Sequence, residues 1–328
     1  MKPVARVLAI AGFALAIILF AREDVGAIAA LVVAAGPGLV VAALFHALPI
    51  VANAGAWRVL LPGRRPSLRV MAWATWIRES VNALLPVARI GGEIVAYRIV
   101  RRHVGRRSDA AASLLVDMAL SLLSQAGFAL FGVALLFASG QASTFATQLL
   151  AGIAAMIPLA AGFMLAQRAG TLGALTRVLD RLFAGTFGVA HAQSLRFDQA
   201  LRAIYQRHGD VGACFVWQLV GWMLGAGEIW LALRFLGQPR SVLDAVTIEA
   251  LIQAVSSAAF VVPGALGVQE GGFVLIGAAL GIDATTALAL ATARRLRDVI
   301  VFFPGLIAWQ RAEARMRHAR STSPGNPW

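Results

Sequence analysis

The sequence predicts an all-α polytopic membrane protein with about six full spans and two re-entrant broken-helix hairpins in an inverted repeat. Three observations support this fold class: a low share of charged residues, long apolar segments, and two segments broken by proline and glycine. Of the 328 residues, 59% are apolar and 14% are charged, whereas a soluble domain carries about 25% charged residues. We therefore expect a single integral membrane domain over 1–328.

Six apolar segments are candidates for full membrane spans, because crossing a bilayer takes roughly 20 mainly apolar residues. They lie at about 4–20, 38–61, 109–138, 145–167, 211–236 and 284–310. The stretch 25–35 is shorter and is expected at the outer interface, or in a helix hairpin with the residues that follow Pro37. Residues 168–209 mix Arg, Asp, Gln and Leu, which indicates an amphipathic connector on the cytoplasmic surface. A basic tail occupies 311–328.

Two further apolar segments, 68–103 and 241–279, are each broken near the middle by proline and glycines. Proline precedes glutamate by seven residues in both breaks. Broken helices at membrane depth are tolerated only where protein or a cavity covers them. Each segment therefore predicts a re-entrant hairpin. The break residues are Pro86, Gly91 and Gly92 before Glu93, and Pro263, Gly264 and Gly267 before Glu270.

The number of spans between the two breaks predicts their relative orientation. Three predicted spans separate them, so two re-entrant hairpins would enter from opposite faces. That arrangement is an inverted repeat, with repeat 1 at about 38–138 and repeat 2 at about 211–310, and it places a binding site at the repeat interface. If the broken segments cross the bilayer fully instead, the number of spans between them no longer implies opposite orientations, and the shared Pro, Gly and Glu pattern is a coincidence.

The distribution of positive charge predicts the orientation of the chain. The formal net charge is +13, and the arginines flank apolar segments as the positive-inside rule requires, so no nucleic-acid partner is expected. The proposed cytoplasmic pieces hold 20 of the 29 Lys and Arg residues, whereas the proposed outer loops hold only Arg22 and Arg240. We expect a bacterial cytoplasmic (inner) membrane protein with both termini in the cytoplasm, and an uncleaved first span.

Charged residues within the last apolar segment indicate a functional site, because each charge at membrane depth costs roughly 2.5–3.5 kcal/mol. Arg294, Arg297 and Asp298 share one helix face by their spacing, with Arg295 beside them. Three arginines against one aspartate predict an excess of positive charge that would suit a lipid phosphate. The alternative is a neutralised network in which acidic residues elsewhere pair with these arginines. Its candidate members are Glu93, Asp117, Glu228, Glu249 and Glu270.

Other charged residues at membrane depth extend the candidate lipid-binding site. Arg78 and Glu79 lie in the first arm of the first broken segment, where they either contribute to the site or only satisfy each other. Asp117, Glu228 and Glu249 are expected to be counter-ions to the arginines or proton carriers. The predicted lipid-binding residues are Arg78, Arg89, Glu93, Asp117, Glu249, Glu270, Arg294, Arg297 and Asp298.

The chain contains no sequence motif of a soluble enzyme. There is no nucleophile elbow, no phosphate-binding glycine loop with lysine, and no zinc signature. The single cysteine, Cys214, excludes an intramolecular disulfide, and the five histidines show no metal-ligand spacing. We expect no cofactor and no enzyme activity, with an intramembrane enzyme acting on a prenyl phosphate as a remaining alternative.

The motif residues taken together resemble the transmembrane region of the lysylphosphatidylglycerol synthases/flippases. The resemblance rests on Asn82, Leu85-Pro86, Arg89, Gly92-Glu93 and Arg98, then Pro263-Gly264, Gly267 and Glu270, then Arg294–Arg297. It implies a flippase-type domain in which two re-entrant elements enclose a headgroup cavity. The matching positions are Arg89, Glu93, Pro263, Glu270, Arg294 and Arg297. The soluble aminoacyl-transferase domain of the bifunctional members is missing, so the chain resembles a stand-alone relative, of the subgroup associated with hopanoid biosynthesis.

The expected function is lipid translocation, or lipid binding for export, without nucleotide hydrolysis. The partner is a membrane lipid, either an anionic phospholipid or a terpenoid such as a hopanoid. A different class of function remains open, in which the protein is a non-transporting subunit that presents a lipid to a partner glycosyl- or aminoacyl-transferase.

Overall fold

The described part of the chain is helical throughout, with no strand among its residues. A computed structural model describes residues 2–85, 91–138, 140, 162, 164, 165, 167, 191–259, 262 and 265–321, with only the backbone for 2–10, 12, 191–194 and 315–321. The helices are α1 (Lys2–Arg22), α2 (Val25–Ala35), α3 (Pro37–Phe45), α4 (Ala47–Leu60), α5 (Leu68–Leu84), α6 (Gly91–Val100), α7 (Arg107–Ala138), α8 (His191–Gln206), α9 (His208–Phe235), α10 (Val242–Ala258), α11 (Val268–Ala279), α12 (Ala284–Arg297) and α13 (Phe303–Ser321), with a π-helical turn at Asp298–Phe302 between the last two.

Three helical stretches are long and apolar enough to cross a membrane. They are Pro37–Leu60, Arg107–Ala138 and His208–Phe235, and they coincide with three of the six predicted spans. The predicted spans at 4–20 and 284–310 are helical as well. The predicted span at 145–167 lies outside the described residues, apart from four positions near its end.

Two smaller elements pack on neighbouring helices. In helix α2, Ile28 and Ala35 are buried in the same apolar core as α12, and its predicted place at the outer interface or in a hairpin with the residues after Pro37 stays a prediction. Helix α8 is amphipathic as expected, but its apolar face packs on protein, with Leu201 and Ile204 buried against Val116 of α7. Both helices thus bury their apolar faces against neighbouring helices.

A kink at His46 separates α3 from α4 within the first long span. Pro49 has no N–H to give to the carbonyl of Phe45, and its ring crowds that carbonyl, so the regular helix is interrupted one turn earlier. The His46 N–H donates instead to the carbonyl of Ala43, at 3.1 Å. The kink leaves the His46 side chain half way along a membrane-length helix.

Helices α7 and α9 run parallel to each other. Gln218 of α9 bonds Asp117 of α7, and further along both helices, one turn on α9 and two turns on α7, Trp222 bonds Ser124. Helices α7 and α9 therefore begin on the same side of the molecule. Helix α4 runs the opposite way, because Leu60 at its end accepts a hydrogen bond from Arg207 at the start of α9.

Helices α5 and α6 form an antiparallel pair that we call the first helix pair. The Gly92 N–H donates to Asn82 Oδ1 at 2.9 Å, and Asn82 Nδ2 donates to Glu93 at 3.3 Å. Helix α4 leads into this pair and α7 follows it, and Leu60 of α4 packs in one apolar cluster with Ala112 near the start of α7. The open end of the first helix pair therefore lies beside the N-terminal end of α7.

Replacing Gly92 with alanine is expected to destabilise the protein by about 1–3 kcal/mol through overpacking. A Cβ there would overlap the backbone carbonyl of Arg78 and lie 2.6 Å from Asn82 Oδ1. Gly105→Ala is the matched control, because nothing lies within 4 Å of its added Cβ. Thermal unfolding in detergent measures both. Equal stability of the two variants would contradict the close approach of α6 to α5.

Helices α10 and α11 form the second helix pair. Arg240 closes its open end by donating to the carbonyl of Gly281 at 2.6 Å. Helix α10 is antiparallel to α7, because Gln125 bonds the carbonyl of Gln253 while Gly132, further along α7, packs on Ala250. The open end of the second helix pair thus lies beside the C-terminal end of α7.

The two helix pairs have closely similar first arms. Helices α5 and α10 each contain 17 residues and each begins after a serine N-cap, Ser67 or Ser241, whose side chain accepts from the backbone N–H three residues on. Capping of this kind satisfies a backbone donor that has no partner within the helix. Both helix pairs thus begin with a capped helix of the same length, and their open ends lie beside opposite ends of α7.

Candidate functional site

Buried charged side chains from seven helices, the π-helical turn and the α3–α4 kink meet between the two helix pairs. We call this set the buried charge network. Most of its members expose less than a tenth of their surface, and Asp117 exposes 1%. Its members are His46, Arg78, Glu79, Glu93, Asp117, Glu228, Glu249, Glu270, Arg294, Arg295, Arg297 and Asp298.

Arg78 of α5 joins the first helix pair to α7. Its Nη1 lies 2.9 Å from Asp117 Oδ2 and 3.8 Å from Glu93 Oε2. The second Asp117 oxygen accepts from Gln218 at 2.9 Å, and the Arg78 guanidinium lies 5.7 Å from the centre of the Trp57 ring. The guanidinium is thus held by two carboxylates and by an aromatic face, which favours cations.

Arg294 of α12 makes a bidentate pair with Glu249 of α10. The two N–O distances are 2.5 and 3.1 Å, and Gln253 donates to the same carboxylate at 2.7 Å. Glu249 can lie here because the facing residue of α9 is Gly225, where an added Cβ would be 2.9 Å from Glu249 Oε1. The small residue on α9 therefore makes room for an ion pair.

Glu270 has two roles at the start of α11. One oxygen accepts from the backbone N–H of Gly267 at 2.6 Å and so caps the helix, while the other lies 2.7 Å from Arg295 Nη2. Gly267 has φ +77°, a conformation that is strained for residues with a Cβ. The predicted break residue Gly267 is thus required by the turn that brings Glu270 to Arg295.

Arg297 lies at the centre of the network, immediately before the π-helical turn. Its guanidinium is 2.7 Å from Asp298, 3.3 Å from Glu228 and 3.0 Å from the Nδ1 of His46. The Phe302 ring covers it at 5.2 Å. Single π-helical turns inside α-helices are frequent at functional sites, and here the turn places Arg297 and Phe302 against the same histidine.

His46 is the site residue that sequence reasoning missed. Its Nδ1 lies 2.6 Å from Glu228, and its Nε2 lies 3.8 Å from Glu79, which in turn accepts from Asn53 at 3.2 Å. A signal was present: a histidine within an apolar span, three residues before Pro49. Metal-ligand spacing, the criterion given above for the histidines, does not detect a single histidine of this kind.

The predicted excess of positive charge on the last span is wrong for the described residues. Each of its three arginines has a carboxylate partner on another helix: Glu249, Glu270 or Glu228. Across the network, seven carboxylates face four guanidinium groups. The alternative prediction, a neutralised network of arginines and acids, describes these residues better. The acids lie on other helices and reach the arginines because the helices pack together.

A cavity adjoins the network at Glu228, Arg294 and Arg297. Its volume of about 10 Å³ is room for about one water molecule. The Nε atoms of Arg294 and Arg297 are buried there without a hydrogen-bond acceptor among the described residues. This cavity is too small for a lipid headgroup.

The structure thus brings together most of the predicted lipid-binding residues. Arg78, Glu93 and Asp117 lie in one part of the network, and the remaining described ones lie around Arg294 and Arg297. Of the predicted positions, Arg89, Pro86, Pro263 and Gly264 lie outside the described residues. Gly91 begins α6, and Gly92 packs against α5.

The comparison with protein families agrees with this arrangement. Residues 4–305 match the family described as the lysylphosphatidylglycerol synthase TM region. The chain belongs to this family. Membership of the lysylphosphatidylglycerol synthase TM region family confirms the resemblance stated above and makes this a membrane protein of a lipid-acting family. No curated protein and no solved structure matches the chain, so the hopanoid-associated subgroup stays a prediction.

Proposed function

We propose that the protein binds a lipid headgroup between its two helix pairs and carries the lipid across the bilayer without nucleotide hydrolysis. The supporting observation is the continuity of the buried charge network from one helix pair to the other. Successive contacts of 4 Å or less run from Glu270 through the α12 arginines and Glu228 to His46 and Glu79. Charges buried at membrane depth are expensive and mark substrate or ion pathways.

On this proposal the two helix pairs are re-entrant, and they approach the middle of the bilayer from opposite faces. Broken helices around a midplane site are the usual binding architecture of transporters with inverted repeats. The open end of the first helix pair faces the cytoplasm, as do both termini, and the membrane is a bacterial inner membrane. The chain itself catalyses no reaction.

The charge balance restricts the headgroup. A phosphate would have to displace carboxylates from arginines that they already hold at 2.5–3.3 Å. Among the described residues of the network, seven carboxylates face four guanidinium groups, which favours a headgroup that is neutral or bears an amine. A terpenoid lipid such as a hopanoid with a polar extension therefore fits better than an anionic phospholipid, which stays the second candidate.

Proteoliposomes test the proposal. We expect the protein to accelerate transbilayer movement of a labelled terpenoid lipid with an amine-bearing headgroup at least tenfold over protein-free vesicles, and that of labelled phosphatidylglycerol less. Two variants accompany the wild type. Arg294→Met disrupts the network and should lower the rate of lipid movement, whereas Gly105→Ala is the control and should leave the rate unchanged. No acceleration of either lipid by the wild-type protein would refute translocation.

A second candidate is favoured by the family description, which names a synthase. The protein would then be a non-transporting subunit that presents a lipid to a partner glycosyl- or aminoacyl-transferase. Co-purification of a stable transferase, with no lipid movement by the protein alone, would decide for this function.

A further inference from the structure

The His46 imidazole lies against a carboxylate and a guanidinium at the same time. Its Nδ1 lies 2.6 Å from Glu228 Oε2, whereas Arg297 Nη1 lies 3.0 Å from Nδ1 and 3.4 Å from Nε2. Because it is nearly equidistant from both ring nitrogens, Arg297 Nη1 lies over the face of the ring, and Glu228 is the hydrogen-bond partner of Nδ1. With Nδ1–H donating to Glu228, a proton added at Nε2 makes the ring a cation directly against the Arg297 guanidinium.

We propose that His46 is a proton-binding site through which a transmembrane proton gradient drives lipid movement. This inference rests on the proposed function. With the ring neutral, Nδ1–H donates to Glu228 and Nε2 carries no proton. With both ring nitrogens protonated, Nδ1–H donates to Glu228 and Nε2–H points to Glu79, which lies 3.8 Å away.

The charged groups around His46 come from every element packed against it. Helix α5 contributes Glu79 with Arg78 beside it, α9 contributes Glu228, α12 contributes Arg297 and, further off, Arg294, and the π-helical turn contributes Asp298. The carboxylates stabilise an imidazolium, whereas the Arg297 guanidinium at 3.0 Å repels it. Binding of a proton therefore favours movement of Arg297 away from His46 and toward Asp298, which it already meets at 2.7 Å.

Ion pairs connect His46 to both helix pairs, so protonation of His46 affects both. Asp298 lies 3.8 Å from Arg295, and Arg295 holds the carboxylate that caps α11 in the second helix pair. On the other side, Glu79 is the chain neighbour of Arg78, which holds Glu93 of the first helix pair. One proton at His46 thus changes the electrostatic balance of both pairs, and a local change of this kind can bias a two-state arrangement.

The route of the proton passes beside the cavity at Glu228 and Arg297, which has room for about one water. A water there lies next to the Glu228 carboxylate, so it can deliver a proton to the acceptor that His46 bonds. Histidine suits this role because its unperturbed charge change falls between pH 5 and 8. The Phe302 ring, 5.5 Å from the imidazole, covers the other side.

The test is lipid movement in proteoliposomes with an imposed pH difference. A difference of one pH unit should change the transport rate of the wild-type protein by up to about tenfold, the driving force of one proton per unit. His46→Gln should be slower and should not respond to the gradient. His103→Gln is the matched control, because His103 lies in the loop after α6 and bonds only its own helix end, and it should respond as the wild type does.

The outcomes separate this inference from the proposed function. A wild-type protein that moves lipid but ignores the gradient, or a His46→Gln variant that still responds, overturns proton coupling and leaves translocation standing. If no lipid moves, translocation fails, and the site is judged by proton titration of the purified protein between pH 5 and 8. The wild type should then bind about one proton more than His46→Gln, and equal uptake overturns the site.

Discussion

Glu249→Gln is expected to destabilise the folded protein by about 3–5 kcal/mol, the usual penalty for removing one partner of a buried ion pair. The side chain of Arg294 is only 4% exposed and Glu249 supplies both of its hydrogen bonds. Glutamine has nearly the same shape and keeps the bond to Gln253, so the change removes charge rather than packing. Unfolding in mixed detergent micelles with increasing dodecyl sulfate gives the free energy.

The double variant Glu249→Gln/Arg294→Met is the control for this result. Replacing both partners leaves no uncompensated charge, so most of the lost stability should return. The single variant Arg294→Met should be destabilised to a similar degree as Glu249→Gln. Additive losses in the double variant would contradict a direct pair between α10 and α12.

Arg78→Met is expected to have an effect of similar size, about 3–5 kcal/mol, at the other side of the network. It leaves two carboxylates, Asp117 and Glu93, facing each other across a buried volume, with Gln218 and Asn82 as their remaining partners. Like charges in a low-dielectric interior repel strongly. The free energy of unfolding is measured as above, beside lipid movement, which should fall.

Adding Asp117→Asn to Arg78→Met should restore a large part of the stability, because asparagine still bonds Gln218 and removes one of the two charges. Arg101→Met is a matched control on the same side of the molecule, since Arg101 is partly exposed and lies over the Tyr97 ring. It should cost less than about 1 kcal/mol. A larger loss for Arg101→Met than for Arg78→Met would contradict the buried location of the network.

The helices could be predicted well from the sequence, but the pairing of charges could not. Hydropathy identifies a membrane-length helix because the bilayer sets the required length, as for Arg107–Ala138. The partner of an arginine depends on which helices pack side by side. Arg294 of α12 meets Glu249 of α10 where Gly225 of α9 leaves room for the carboxylate, and no local spacing within α12 contains that information.

The dependence of ion pairing on helix packing also explains the two main differences between the prediction and the structure. In the sequence, the last span shows three arginines and one acid, which predicts an excess of positive charge. The acids that pair with these arginines come from three other helices. His46 was overlooked because its importance comes from the kink before Pro49 and from Glu79 and Glu228 on two other helices. By contrast, both glycine-rich breaks were recognisable, because Gly92 and Gly267 meet backbone requirements that depend on nearby sequence.

The π-helical turn at Asp298–Phe302 fixes more than its own five residues. A π-helical turn accommodates one residue more than an α-helical turn, and each residue of an α-helix advances the side-chain direction by about 100°. Everything after the turn is therefore rotated relative to Arg294 and Arg295. With that offset, Trp309 packs on the first helix pair and Glu313 lies 3.9 Å from Arg98, so loss of a single residue here would rotate both side chains by about 100° about the helix axis and away from these partners.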